Sequence, residues 1–195
     1  MIAGVLIFDG VEELDFAGPW EVLAASKALT SKLDVMTIAQ SLDAVRCAKG
    51  LRVLPDRTFA DAPPLDVLVV PGGEGTRRAE NVPGLVGFIR ERAPACRWVT
   101  SVCTGALLLH GAGLLAGKRA TTHWSFTDQL EARGGVTVVR HARFVRDGNV
   151  VTAAGVSAGI DMALWLVGQL FDPATARRVQ RTIEYDPAPP YSADV

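Results

Sequence analysis

The chain is poor in cysteine and histidine and has no excess of charge of either sign. Its 195 residues include three Cys and three His, and 20 Lys and Arg stand against 21 Asp and Glu, a formal net charge of -1. Cys47, Cys96 and Cys103 are odd in number and widely spaced, which excludes a disulfide framework and a C-x-x-C metal pair. His110, His123 and His141 have no ligand partners at metal-binding spacing. The balanced charge argues against a dedicated nucleic-acid binder, which carries a basic excess. Charge runs stop at pairs such as Arg77-Arg78 and Arg177-Arg178. No apolar run approaches a membrane span. The N-terminus passes without a basic stretch into residues 2–8, which read as a first core strand and not a signal peptide. The expectation is a soluble protein of a reducing cytoplasm with no membrane partner. Phosphate cradles are missing too. No G-x-G-x-x-G follows the first strand, and G-L-L-A-G-K-R at 113–119 is one residue short of a P-loop and lacks Ser or Thr after the Lys.

What the chain does have is apolar residues, 49% of the total, enough for a sizeable core. Its length suits one α/β domain over residues 1–195. Strands are expected at 2–8, 33–39, 66–70, 97–102, 120–122, 136–139 and 144–153, the last as a pair turning at Asp147-Gly148-Asn149. A hairpin over 45–53 turns near Lys49-Gly50. Helices are expected at 11–29, where Gly18-Pro19 introduces a kink or marks where the regular part begins, and at 82–93, 106 onward, 124–133, 157–171 and 173–183. The tail from about 185 is Pro-rich and should be extended. Continuous apolar strands such as Val67-Leu68-Val69-Val70 suit burial on both faces of a parallel sheet. Strand and helix alternate, so the expected fold is a doubly wound, mostly parallel sheet between helix layers. In such a sheet the site lies beyond the carboxyl ends of the strands.

Four segments fall at those ends: residues 9–18, 71–75, Cys103-Thr104 and His123-Trp124. In R-W-V-T-S-V-C-T-G at 97–105, Cys103 stands between a β-like run and the helix-forming Ala106-Leu107-Leu108-Leu109. Ser101 lies two residues before it and Gly105 two after. This is the spacing of a nucleophile elbow, G-x-S-x-G, with Cys as the nucleophile and Ser in place of the first Gly. A thiol at a helix N-terminus is expected to have a pKa lowered from roughly 8.5 into the range of about 3.5–7.5. A buried structural Cys at an ordinary β–α junction is the alternative. Pro71-Gly72-Gly73 after a buried strand suits backbone N–H groups turned toward a reacting centre, or a plain tight turn. Asp15, set between Leu14 and Phe16, is either a solvent-facing helix residue or a carboxyl buried for a purpose. His123 is either a satisfied core histidine or part of the site.

V-V-P-G-G, S-V-C-T-G-A-L-L-L and R-A-T-T-H-W resemble the PfpI/ThiJ superfamily, which is related to class I glutamine amidotransferases. The resemblance spans the chain from its first strand to about Ile183. L-D-F-A-G-P-W-E-V and R-T-I-E-Y-D-P-A-P-P-Y are similar more narrowly to the isonitrile hydratase branch. Peptidase-like members carry Cys followed directly by His; Thr104 stands there instead, which lowers protease and amidotransferase readings.

The resemblance implies a flavodoxin-like homodimer without cofactor or metal. It also implies a nucleophile at Cys103, a site acid at Asp15 and a supporting Thr at Thr104. The implied activity is a hydro-lyase adding water to an isonitrile, R–N≡C, to give an N-substituted formamide. Asp15 would supply the proton, the N–H groups of Gly72, Gly73 or Thr104 would stabilise developing charge, and His123 would line the substrate site. The same acid–thiol pair also suits a redox sensor working through oxidation of Cys103, and a ligand-binding regulator without turnover is a third reading.

Overall fold

The computed structural model describes residues 1–78 and 82–187. The chain runs β1 (Ile2–Leu6), α1 (Glu13–Thr30), β2 (Asp34–Ala39), β3 (Val45–Arg46), β4 (Arg52–Val53), β5 (Arg57–Thr58), β6 (Val67–Val70), α2 (Val82–Arg92), β7 (Trp98–Val102), α3 (Gly105–Gly111), β8 (Lys118–Ala120), α4 (Thr127–Ala132), β9 (Val136–Val138), β10 (Phe144–Asp147), β11 (Val150–Ala153), α5 (Ala158–Leu170) and α6 (Pro173–Thr182). Seven strands form one sheet in the order β10-β11-β7-β6-β1-β2-β5. Every pairing in it is parallel except β10 with β11. This is a flavodoxin-like, doubly wound single domain. The central strands β6 and β7 are buried along their whole length, as their unbroken apolar runs require.

The sheet reverses direction of growth between β1 and β6. From β1 the chain adds β2 and β5 on one side; from β6 it adds β7 and β11 on the other. Such a switch point leaves a crevice at the carboxyl ends of the flanking strands, because the connections there diverge to opposite faces. The loops after β1, β6 and β7 all open into it.

Sequence reading and structure differ in three places. The helix after β1 begins at Glu13 and runs through Pro19 to Thr30, so Pro19 neither starts nor ends it. It only removes the backbone rung from residue 19 to the Asp15 carbonyl. Glu13 and Asp15 occupy the first turn and Lys27 the last, which suits the helix dipole. The strand expected at 120–122 is shifted to Lys118–Ala120, where it pairs in parallel with β9 in a separate two-stranded ribbon. Residues 124–133 are a 3-10 turn, Trp124–Phe126, followed by α4. Elsewhere the expected elements are present. β3 and β4 form the antiparallel hairpin at 45–53, and α6 starts with the Asp172 side chain accepting from Thr175 N–H at 2.7 Å and Pro173 in its first turn. Most of the Pro-rich tail lies outside the described residues.

Candidate active site

Cys103, directly after β7, sits in the left-handed region, with φ of 56°. A non-glycine residue there is uncommon, and the surroundings must hold it. Its N–H donates to the carbonyls of Ala153 (3.2 Å) at the end of β11 and Ala154 (2.6 Å) just beyond it, and its own carbonyl accepts from the Thr122 hydroxyl at 2.7 Å. Two residues on, Gly105 is pressed against β6: a Cβ there would collide with the Val70 carbonyl and lie 2.9 Å from that of Pro71. The elbow spacing read from the sequence is therefore imposed by backbone proximity. Ser101, in the other small-residue position, is fully buried, and its hydroxyl has no partner among the described residues.

The first turn of α1 brings Asp15 to the same place. Its side chain is fully buried. Oδ2 accepts from Gly72 N–H at 2.9 Å, while Oδ1 has no hydrogen-bond partner among the described residues. Burial pushes the carboxyl up from 3.8 to about 7, against the lowering effect of the Gly72 bond; the Glu12 charge adds to the rise, and the Cys103 thiol and Lys49 pull it back. Of the two readings left open by the sequence, Asp15 is the buried carboxyl.

Burial also pushes the Cys103 thiol up, to about 12, and the neighbouring Asp15 charge raises it further; the Thr104 N–H and hydroxyl work in the opposite direction. This corrects the expected low thiol pKa. A helix start of partial charge does not outweigh burial of the Cys103 side chain beside a carboxyl. Cys47 and Cys96, both buried, are pushed up to about 11. Cys103 is thus not set apart from them by a low pKa; what distinguishes it is its acid partner.

Gly72 and Gly73 are at the site, with their N–H groups already engaged. Gly72 N–H holds Asp15, and Gly73 N–H donates to Thr104 Oγ1 at 3.0 Å. The Thr104 hydroxyl also meets Thr76 Oγ1 at 3.0 Å. A Cβ on Gly72 would lie 2.7 Å from Thr104 Oγ1 and 2.9 Å from Asp15 Oδ2, so only glycine lets the Cys103-Thr104 turn and the Asp15 carboxyl approach so closely. The two glycines therefore support Asp15 and Thr104, in place of the free oxyanion donors expected from the sequence.

Cys103 opens into a pocket of about 270 Å³. His123 lines one side; its Nδ1 sits 2.7 Å from Ser125 Oγ, and partial burial lowers its pKa. Glu12, in the segment 9–18 already placed at the strand ends, lines the pocket too; sequence reasoning missed the rest of the wall, namely Lys49 from the hairpin tip, Arg77 from the 3-10 turn after Gly73, Phe126, and Val156, whose φ of 45° is unusual for a β-branched residue. Only the turn signal at Lys49-Gly50 was legible beforehand. A cavity of similar size, about 290 Å³, lies between Phe8, Gln40 and Phe59 and contains none of these groups. Among the described residues no cluster of His, Cys, Asp and Glu is placed to hold a metal ion, and no helix is long and apolar enough to cross a membrane.

A doubly wound sheet whose switch-point crevice holds a cysteine elbow and a buried acid defines a class of cysteine-centred α/β proteins. Residues 2–169 match the model of the DJ-1/PfpI family, and the chain belongs to that family. It is 45% identical over 190 residues to the isonitrile hydratase of Pseudomonas putida, covering 97% of this chain and 81% of that one. A ThiJ/PfpI family protein from Pseudomonas syringae shares 36% identity and superposes with a TM-score of 0.86 over all of this chain and 78% of its own. The HTH-type transcriptional regulator GbdR of Pseudomonas aeruginosa is 30% identical over 168 residues, which are 85% of this chain and 46% of the regulator.

Proposed function

We propose that the protein is an isonitrile hydratase that converts R–N≡C and water to an N-substituted formamide, with Cys103 as nucleophile and Asp15 as the proton-transferring acid. The observation that carries this reading is the fully buried Asp15 carboxyl, held by Gly72 N–H at 2.9 Å beside the Cys103 thiol that lines an open pocket; its pKa, raised by burial, agrees with it. The 45% identity to the P. putida enzyme supports the substrate class.

The chemistry balances within this pair. The thiol proton passes to Asp15 as sulfur attacks the terminal isonitrile carbon, and Asp15 delivers it to that carbon. The S–H bond is lost, C–S and C–H bonds form, and N≡C becomes N=CH in a thioimidate. Water then adds to the carbon with a proton to nitrogen. The C–S bond breaks with its electron pair going to sulfur, the hydroxyl proton passes through Asp15 to that sulfur as the C=O bond forms, and the formamide leaves. A thiol near 12 is a poor nucleophile unless its proton has a nearby acceptor, and Asp15 is that acceptor. Thr104 steadies the sulfur, and the glycine N–H groups hold acid and threonine in register.

Formamide production from a small alkyl isonitrile tests the proposal. Wild type should turn it over and Cys103→Ala should not. A wild type inert toward every small isonitrile would overturn it. We also propose that the chain works as a homodimer, on the ground of exposed apolar side chains that include Trp124, 80% exposed, and Leu54, 72% exposed.

A further inference from the structure

We infer that Arg77 forms an anion subsite beside Cys103, so that the favoured substrates are isonitriles bearing a carboxylate on the R group; this rests on the isonitrile reading above. Four charged side chains line the pocket: Glu12, Lys49, Glu74 and Arg77. Lys49 is paired with Glu12 across the rim, and Glu74 with Arg78 outside it, at 3.3 Å. Among the described residues Arg77 has no carboxylate partner. Its guanidinium is nonetheless held in place. Nη1 donates to the Gly73 carbonyl at 3.2 Å, and the group lies over the Phe126 ring, 4.8 Å from its centroid. Gly73 is in turn bound to Thr104, the residue after the nucleophile. The cation is therefore fixed relative to the sulfur, with most of its N–H donors unused and shaped for a carboxylate. An isonitrile whose carbon meets Cys103 would direct its R group away from the sulfur, along the wall that Arg77 and Phe126 form.

The test compares two substrates and two alkylating agents in wild type and Arg77→Met. In the first arm, kcat/KM is measured for isocyanoacetate and for its methyl ester. Arg77 stands at the exposed rim, so the expected preference for the acid in wild type is about five-fold, the upper end for an exposed ion pair. It should vanish in Arg77→Met and partly return in Arg77→Lys. In the second arm, Cys103 is alkylated with iodoacetate and with iodoacetamide, which needs no hydratase activity. The rate ratio of acid to amide should drop by a similar factor in Arg77→Met. Turnover of the ester with no preference for the acid, or a preference that survives Arg77→Met, overturns the subsite and leaves the hydratase reading intact. If no isonitrile is turned over but the alkylation ratio depends on Arg77, the anion subsite stands and the isonitrile reading falls. An alkylation ratio indifferent to Arg77 together with no turnover overturns both.

Discussion

Replacing Asp15 with Asn separates a buried acid from a merely well-packed side chain. The amide is nearly isosteric and can still accept the Gly72 N–H, but it has no transferable proton and no charge to bury. The folded-state pKa of about 7 lies above the unfolded value of 3.8. Folding therefore favours the protonated acid, and the stability this gives is complete below about pH 4 and lost as pH rises through 7. At pH 5 most of the group is ionised only when unfolded; by pH 8 ionisation must be imposed on the folded state as well. At 1.36 kcal/mol per pKa unit, the wild type loses about 3 kcal/mol between pH 5 and pH 8 that the variant does not lose. For a domain of this size that is roughly 6–12 °C in relative melting temperature. The assay is thermal unfolding of both proteins at the two pH values, with formamide production measured alongside. The variant should gain on the wild type as pH rises while its turnover falls by at least ~10²-fold. A stability difference independent of pH, with turnover near that of wild type, would refute both the burial argument and the acid assignment.

Three other outcomes are expected. Alkylation of Cys103 by iodoacetamide should still be accelerating at pH 9, and in Asp15→Asn its profile should move to lower pH because the carboxylate charge is gone; a plateau below pH 7 in the wild type would contradict the high thiol pKa. Thr104→Val leaves the Gly73 N–H without its acceptor, while the Thr76 hydroxyl keeps the Gly73 carbonyl at 2.8 Å, so denaturant unfolding should register a loss of about 1–3 kcal/mol, recovered in Thr104→Ser. Light scattering should give a mass near twice the 20.7 kDa of the chain at micromolar concentration, and a monomer there would count against the homodimer.

The fold was legible because its strands announce themselves. The apolar run at 67–70 and the Gly-rich turn behind it allow few alternatives to a central parallel strand. The elbow was legible for a related reason: Gly105 is dictated by the Val70 carbonyl, so a backbone constraint left its mark in residue type. Asp15 was visible as an acid among apolar residues, but its burial depends on Gly72, 57 residues away, and no local pattern carries that. The thiol pKa was misjudged for the same cause. Helix position is a local property, whereas desolvation and the Asp15 charge are set by how three separate loops meet. Lys49 and Arg77 were invisible as pocket residues because an exposed basic side chain looks alike on any surface until its neighbours are known.

The backbone of Cys103 has a further consequence. Its amide hydrogen goes to the carbonyl of Ala154, whose own amide goes to the Arg143 carbonyl at 2.8 Å, so Cys103 is tied into the end of the β7–β11–β10 ladder. A side chain on a free loop can fray by itself; Cys103 comes loose only with the strands that carry it. Its amide should exchange with solvent deuterium as slowly as the core of the sheet. Gentle heating or low denaturant should then silence the site and dissolve the fold in one cooperative event, with no interval in which a folded but disarmed protein accumulates.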